Sequence, residues 1–99
     1  MIRKEDLMLE KEIYANGQKV YDLKDDYLTY YFKNGALKAE GHFIKNKKEA
    51  EWVFYRKTGY MWKKGTYIKG KRDGQWQRFS ADGQVESDCI YRDGELSKA

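Results

Sequence analysis

Ninety-nine residues make one small domain, and 36% charged against 40% apolar residues, with a net charge of +4, leaves little from which to build a core. Aromatics at 16%, including nine Tyr and three Trp, place the chain on the folded side with a thin core made of rings. A single Cys89 and a single His42 exclude an internal disulfide framework and a Cys/His-built metal cluster within one chain, no apolar run approaches the roughly 18 residues of a membrane span, and Met1-Ile2-Arg3-Lys4-Glu5-Asp6 lacks the apolar stretch of a signal peptide. The expected location is the cytoplasm, and no cofactor is expected.

In chain order, residues 1–27 keep no regular period and read as a degenerate half repeat or cap. Met8–Tyr14 is the half repeat, and Tyr14-Ala15-Asn16-Gly17-Gln18-Lys19 resembles Tyr67-Ile68-Lys69-Gly70-Lys71-Arg72. Val20–Asp26 reads as an enlarged loop or an extra strand; terminal repeats are irregular because they cap an open stack. From Leu28 a step of 24 residues governs the chain. It carries Leu28 to Trp52 to Trp76, Tyr31 to Tyr55 to Phe79, and Gly35 to Gly59 to Gly83. It also carries Leu37 to Met61 to Val85, Gly41 to Gly65 to Cys89, and Phe43 to Tyr67 to Tyr91. Three repeats follow, 28–51, 52–75 and 76–99, within one domain.

Each repeat reads as two strands and two turns. Trp52-Val53-Phe54-Tyr55 is β-branched and aromatic, and Lys57-Thr58-Gly59 matches the turns Lys33-Asn34-Gly35 and Ala81-Asp82-Gly83. The chain returns through Met61–Ile68 and turns again at residues 69–74. There is no proline and no capped helical period, so an all-β chain of hairpins is expected. Side chains alternate, so positions 37, 39, 41 and 43 share a face, as do their counterparts. The third of these is always small, which makes room for the large side chain of Leu28, Trp52 or Trp76; Cys89 fits as the small residue of the last repeat.

The pattern Trp52-x-x-Tyr55-x-x-x-Gly59-x-Met61-x-x-x-Gly65-x-Tyr67, with Gly70-Lys71-Arg72-Asp73-Gly74-Gln75-Trp76 after it, resembles the MORN repeat in its bacterial variant form. Asn46, Glu49-Ala50 and Cys89 depart from it. The resemblance implies an antiparallel meander of β-hairpins forming an elongated, twisted sheet. It also implies a non-enzymatic binding protein, often of the antitoxin or immunity kind, that blocks a partner toxin; other proteins with such repeats associate with membranes.

Catalytic chemistry is poorly represented. His42 is the one base suited to neutral pH, and a lone strand histidine reads as a surface residue; pairs such as Asp25-Asp26 are expected among sixteen carboxylates. Charge is segregated. Residues 1–26 hold 5 basic and 7 acidic side chains, residues 27–74 hold 12 and 4, and residues 75–99 hold 3 and 5. Lys45, Lys47 and Lys48 repeat as Lys69, Lys71 and Arg72, so a basic ridge is expected along one sheet edge. Tyr30, Phe32, Phe54, Tyr60 and Trp62 fall outside the repeated columns, and Tyr30, Phe54 and Trp62 beside that ridge make a candidate protein-binding surface. A protein partner, a toxin among the options, ranks first. An anionic membrane surface is the alternative, nucleic acid ranks last, and the open edges at Met8–Tyr14 and Val85–Tyr91 allow a homodimer.

Overall fold

The structure, a computed structural model, describes residues 12–97. These residues form one eight-stranded antiparallel sheet: β1 (Tyr21–Lys24), β2 (Tyr27–Tyr31), β3 (Leu37–Ile44), β4 (Lys47–Tyr55), β5 (Met61–Ile68), β6 (Lys71–Phe79), β7 (Val85–Arg92) and β8 (Glu95–Ser97). Each strand pairs with its neighbour in sequence, so the sheet is a pure meander, as the hairpin repeats imply. Among the described residues none is helical, and no helix is long and apolar enough to cross a membrane.

Two turn types alternate, one at each end of the sheet. At one end the Phe32 N–H donates to the Ala36 carbonyl and the Gly35 N–H to the Phe32 carbonyl. The same pair of bonds recurs at Arg56–Tyr60 and Ser80–Gln84. Gly35 sits at φ 88°, a left-handed residue that lets a short loop match strand twist. At the other end the turns are two residues long, both left-handed: Lys45-Asn46 (φ 51° and 67°) and Lys69-Gly70 (φ 51° and 84°).

The N-terminal segment obeys the same alternation with a shorter step. Tyr14–Gln18 carries the bonds of the Phe32–Ala36 turn, so Gly17 stands in the place of Gly35, 18 residues ahead of it rather than 24. Its local likeness to the segment around Gly70 does not extend to geometry. Of the two expectations for Val20–Asp26 the strand holds: β1 leads into β2 through a two-residue turn at Asp25-Asp26, φ 51° and 66°. The expected half repeat at Met8–Tyr14 falls mostly outside the described residues; Ile13 bridges to Lys19.

A bulge repeated in β4 and β6 builds the core. Trp52 faces Gly41 while Glu49 faces His42, leaving Ala50 and Glu51 unpaired with β3. Trp76 faces Gly65 while Asp73 faces Thr66, leaving Gly74 and Gln75 unpaired with β5. The left-handed residue of each bulge is Ala50 (φ 61°) or Gly74 (φ 76°), one step of the repeat apart. The bulge lays each indole over the facing glycine, with room for its ring N–H to reach a carbonyl. Trp52 Nε1–H donates to His42 O at 2.8 Å and Trp76 Nε1–H to Thr66 O at 3.0 Å. A Cβ on Gly41 would lie 2.4 Å from the Trp52 ring, and one on Gly65 2.1 Å from that of Trp76. The small third position of β3 and β5 thus has the steric cause expected of it.

Leu28, Ala39, Trp52, Tyr67 and Trp76 are buried on this one face, with Tyr21, Tyr30, Phe43, Phe54 and Tyr91 packed around them. Tyr67 meets Trp52 and Trp76 edge-on, at centroid distances of 6.4 and 5.0 Å, and Tyr91 continues the series from Trp76 at 6.3 Å. Leu28 and Trp52 have no exposed surface although the described residues form a single layer. The rings packed around them and the long side chains lying across those rings supply the cover. On the opposite face the Tyr27 and Tyr55 hydroxyls donate to the two oxygens of Glu40, at 2.8 and 3.0 Å. His42 is exposed there, with its ring edge-on to Tyr27 at 5.3 Å.

A candidate binding face

The two-residue turns stack along one edge of the sheet. The Gly70 N–H donates to Lys48 O at 2.9 Å, the Gly94 N–H to Arg72 O at 2.8 Å, and the Phe43 N–H to Asp26 O at 2.7 Å. The order along the edge is therefore Asp25-Asp26, Lys45-Asn46, Lys69-Gly70, Asp93-Gly94. Two basic turns lie side by side between two acidic ones. Lys71 closes one boundary, its Nζ 3.6 Å from Asp93 Oδ1. The acidic turn at Asp25-Asp26 is the part of this edge that the sequence reading did not place, because it stands off the 24-residue step.

The six residues of the expected ridge divide into two sets. Lys45, Lys47, Lys69 and Lys71 are exposed at the turn edge. Lys48 and Arg72 fold inward onto the rings. A two-residue turn pairs Ile44 with Lys47 and Phe43 with Lys48, which puts Lys48 on the ring face; Arg72 faces Tyr67 by the same logic. Lys48 Nζ lies 5.4 Å from the Trp52 ring and 5.3 Å from that of Tyr67. The Arg72 guanidinium lies 4.7 Å from Trp76 and 5.2 Å from Tyr91, and donates to the Tyr91 hydroxyl at 3.1 Å. Each basic side chain thus covers rings with its stem and charge, a cation–π arrangement repeated at the 24-residue step.

Lys63 makes a third such contact, 5.1 Å from the Phe54 ring and 4.4 Å from that of Trp62. Burial, then the charge of Arg72, holds the Lys48 ammonium below the usual lysine range. Burial, then Arg72, Lys48 and Arg78, does the same to Lys63. These four cations feel one another because they share one face. Among the described residues the only ion pair there is Arg78 with Glu86, Nε to Oε1 at 3.8 Å. Cations held near rings, short of carboxylates, are suited to an incoming anionic or carbonyl-rich surface.

The three aromatic candidates also differ in place. Tyr30 and Phe54 are half-buried against the core, whereas Trp62 is 36% exposed. Trp62 occupies the extra position of a bulge, since Phe54 faces Lys63 and Tyr55 faces Met61. It borders two hollows. One, of about 520 Å³, lies at the Gly-turn end between Phe32, Phe54, Tyr55 and Arg56. The other, of about 160 Å³, holds Lys63, Arg72, Trp76 and Tyr91. Tyr60 is 59% exposed at the turn. The pairing register, with its repeated bulges, is the signal that separates these residues.

The family model described as MORN repeat variant matches residues 28–45, within the first 24-residue repeat, and residues 72–93, which run from the end of the second repeat into the third. These two segments are thus similar to MORN-type repeats, which are generally protein- or membrane-binding modules. Comparison with curated proteins and with solved structures returns no match.

Proposed function

We propose that this protein is a non-enzymatic protein-binding module of the antitoxin or immunity kind, which inactivates a partner toxin by covering it. The observation that carries the reading is the open ring face, where Lys48, Lys63 and Arg72 lie against Trp and Tyr rings with no second layer among the described residues. Trp, Tyr and Arg dominate binding hot spots because each buries much area at low entropic cost. Lys45, Lys47, Lys69 and Lys71, exposed beside this face, supply long-range attraction for an acidic partner. The test is co-purification from the native lysate at moderate salt, followed by co-expression of the captured protein. A stoichiometric partner that is toxic alone and harmless with this chain supports the reading. A captured partner without toxicity removes the immunity role and leaves the binding role.

The exposed turn lysines favour a second reading, a peripheral scaffold on anionic lipid. Each basic residue near such a surface contributes about 1 kcal/mol, screened by salt. Sedimentation with anionic vesicles that is lost in salt, with no protein captured, selects this reading over the first.

A further inference from the structure

We infer that the hollow beside Trp62 is an anchor for an acidic side chain of the protein partner. The inference rests on the protein-binding reading and names its chemistry. Trp52 is seated over Gly41 and Trp76 over Gly65, whereas the third residue of that column is Cys89. The distances at Gly41 and Gly65 show that a seated indole collides with any Cβ beneath it, so Cys89 closes this seat to such a ring. A hollow of about 160 Å³ remains, smaller than the roughly 300–1,000 Å³ of a site for a drug-sized ligand and suited to one side chain.

Its lining fixes the sign of that side chain. Lys63, Arg72 and Arg78 border it, while Trp76 and Tyr91 form its ring walls. Glu86 offsets Arg78, but among the described residues Lys63 and Arg72 have no carboxylate within ion-pair distance. Arg72 is held in place by the Tyr91 hydroxyl and by two rings, so its guanidinium is ordered before a ligand arrives. Ser87, the cross-strand partner of Arg78, adds a hydroxyl at the rim. A Glu or Asp of the partner entering here meets two uncompensated cations and apolar walls. Preorganisation of this kind lowers the cost of binding.

The test uses a labelled oligo-glutamate peptide as probe and an oligo-glutamine peptide as control, read by fluorescence anisotropy and by quenching of the tryptophans. Ser87→Glu places a carboxylate in the hollow without removing a cation, and Ser87→Gln controls for size. Lys63→Gln removes one cation. The expected result is that the wild type binds oligo-glutamate and not oligo-glutamine, that Ser87→Glu weakens binding by about tenfold or more, and that Lys63→Gln weakens it by a smaller factor. Ser87→Gln should retain binding, and the double variant Lys69→Glu/Lys71→Glu, which removes long-range attraction but not the hollow, should weaken it by less than Ser87→Glu does. Binding unaffected by Ser87→Glu and lost in Lys69→Glu/Lys71→Glu would overturn the inference and move the acidic contact to the turn edge, leaving the protein-binding reading intact. Absence of oligo-glutamate binding, or binding to phosphatidylserine vesicles alone, would also overturn it. Capture of a lysate partner reports on the wider reading independently.

Discussion

The Trp52 indole lies over Gly41, with its ring N–H bonded to the carbonyl of the next residue, His42, at 2.8 Å. One contact thus joins the bulge of β4, the glycine of β3 and the centre of the core. Trp76, Gly65 and Thr66 repeat it one step on.

Gly41→Ala should therefore destabilise the fold by about 2 kcal/mol or more, since the ring must shift or the strands separate. Gly65→Ala should behave alike. Cys89→Ala, in the same column, should cost less than about 1 kcal/mol. Urea unfolding followed by tryptophan fluorescence measures all three.

Ala50 adopts φ 61° where the next repeat has Gly74 at φ 76°. A left-handed conformation costs a residue with a Cβ about 1–2 kcal/mol, part of which glycine returns as extra freedom in the unfolded chain. Ala50→Gly should stabilise the protein by about 0.5–1 kcal/mol, and Gly74→Ala should destabilise it by a similar amount. Thermal unfolding of the two variants should shift in opposite directions.

Tyr27 is raised from 10.0 to about 12, by burial first and then by its hydrogen bond to Glu40. The unfolded chain loses this phenolic proton near pH 10 while the folded one keeps it. Folding stability should thus fall as pH rises from about 10 towards about 12, and Tyr27→Phe should remove part of that fall. Unfolding free energies at a series of alkaline pH values, with phenolate absorbance of the folded protein, check the slope and its origin.

Much of this architecture is legible in the chain because the 24-residue step repeats both the turn glycines and the large side chain that needs a small partner. The Gly35, Gly59 and Gly83 turns place the strands, and Gly41 and Gly65 announce the seated rings. The N-terminal unit was harder to read, since β2 reaches Leu28 directly after Asp25-Asp26 and omits the residues that carry the bulge in β4 and β6. Leu28 replaces the indole in that unit, and Leu23 takes the cross-strand place that glycine holds later. For the candidate binding face, sequence spacing groups Lys48 with Lys45 and Lys47. The two-residue turn separates them, because pairing Phe43 with Lys48 sends Lys48 to the rings. Trp62 was legible as an extra ring, but its place between two hollows comes from a bulge without a sequence marker.

On the proposed function the partner binds the ring face. Calorimetric titration of the captured partner against Trp62→Ser, and against Ile68→Ser and Ile90→Ser on the opposite face, tests it most directly. Ile68 and Ile90 are 51% and 48% exposed, so all three changes act at accessible positions. The account predicts a loss of about 2 kcal/mol or more in binding for Trp62→Ser and little change for the two isoleucine variants. Unchanged binding by Trp62→Ser, with loss in Ile68→Ser or Ile90→Ser, would contradict it and assign the partner to the other face.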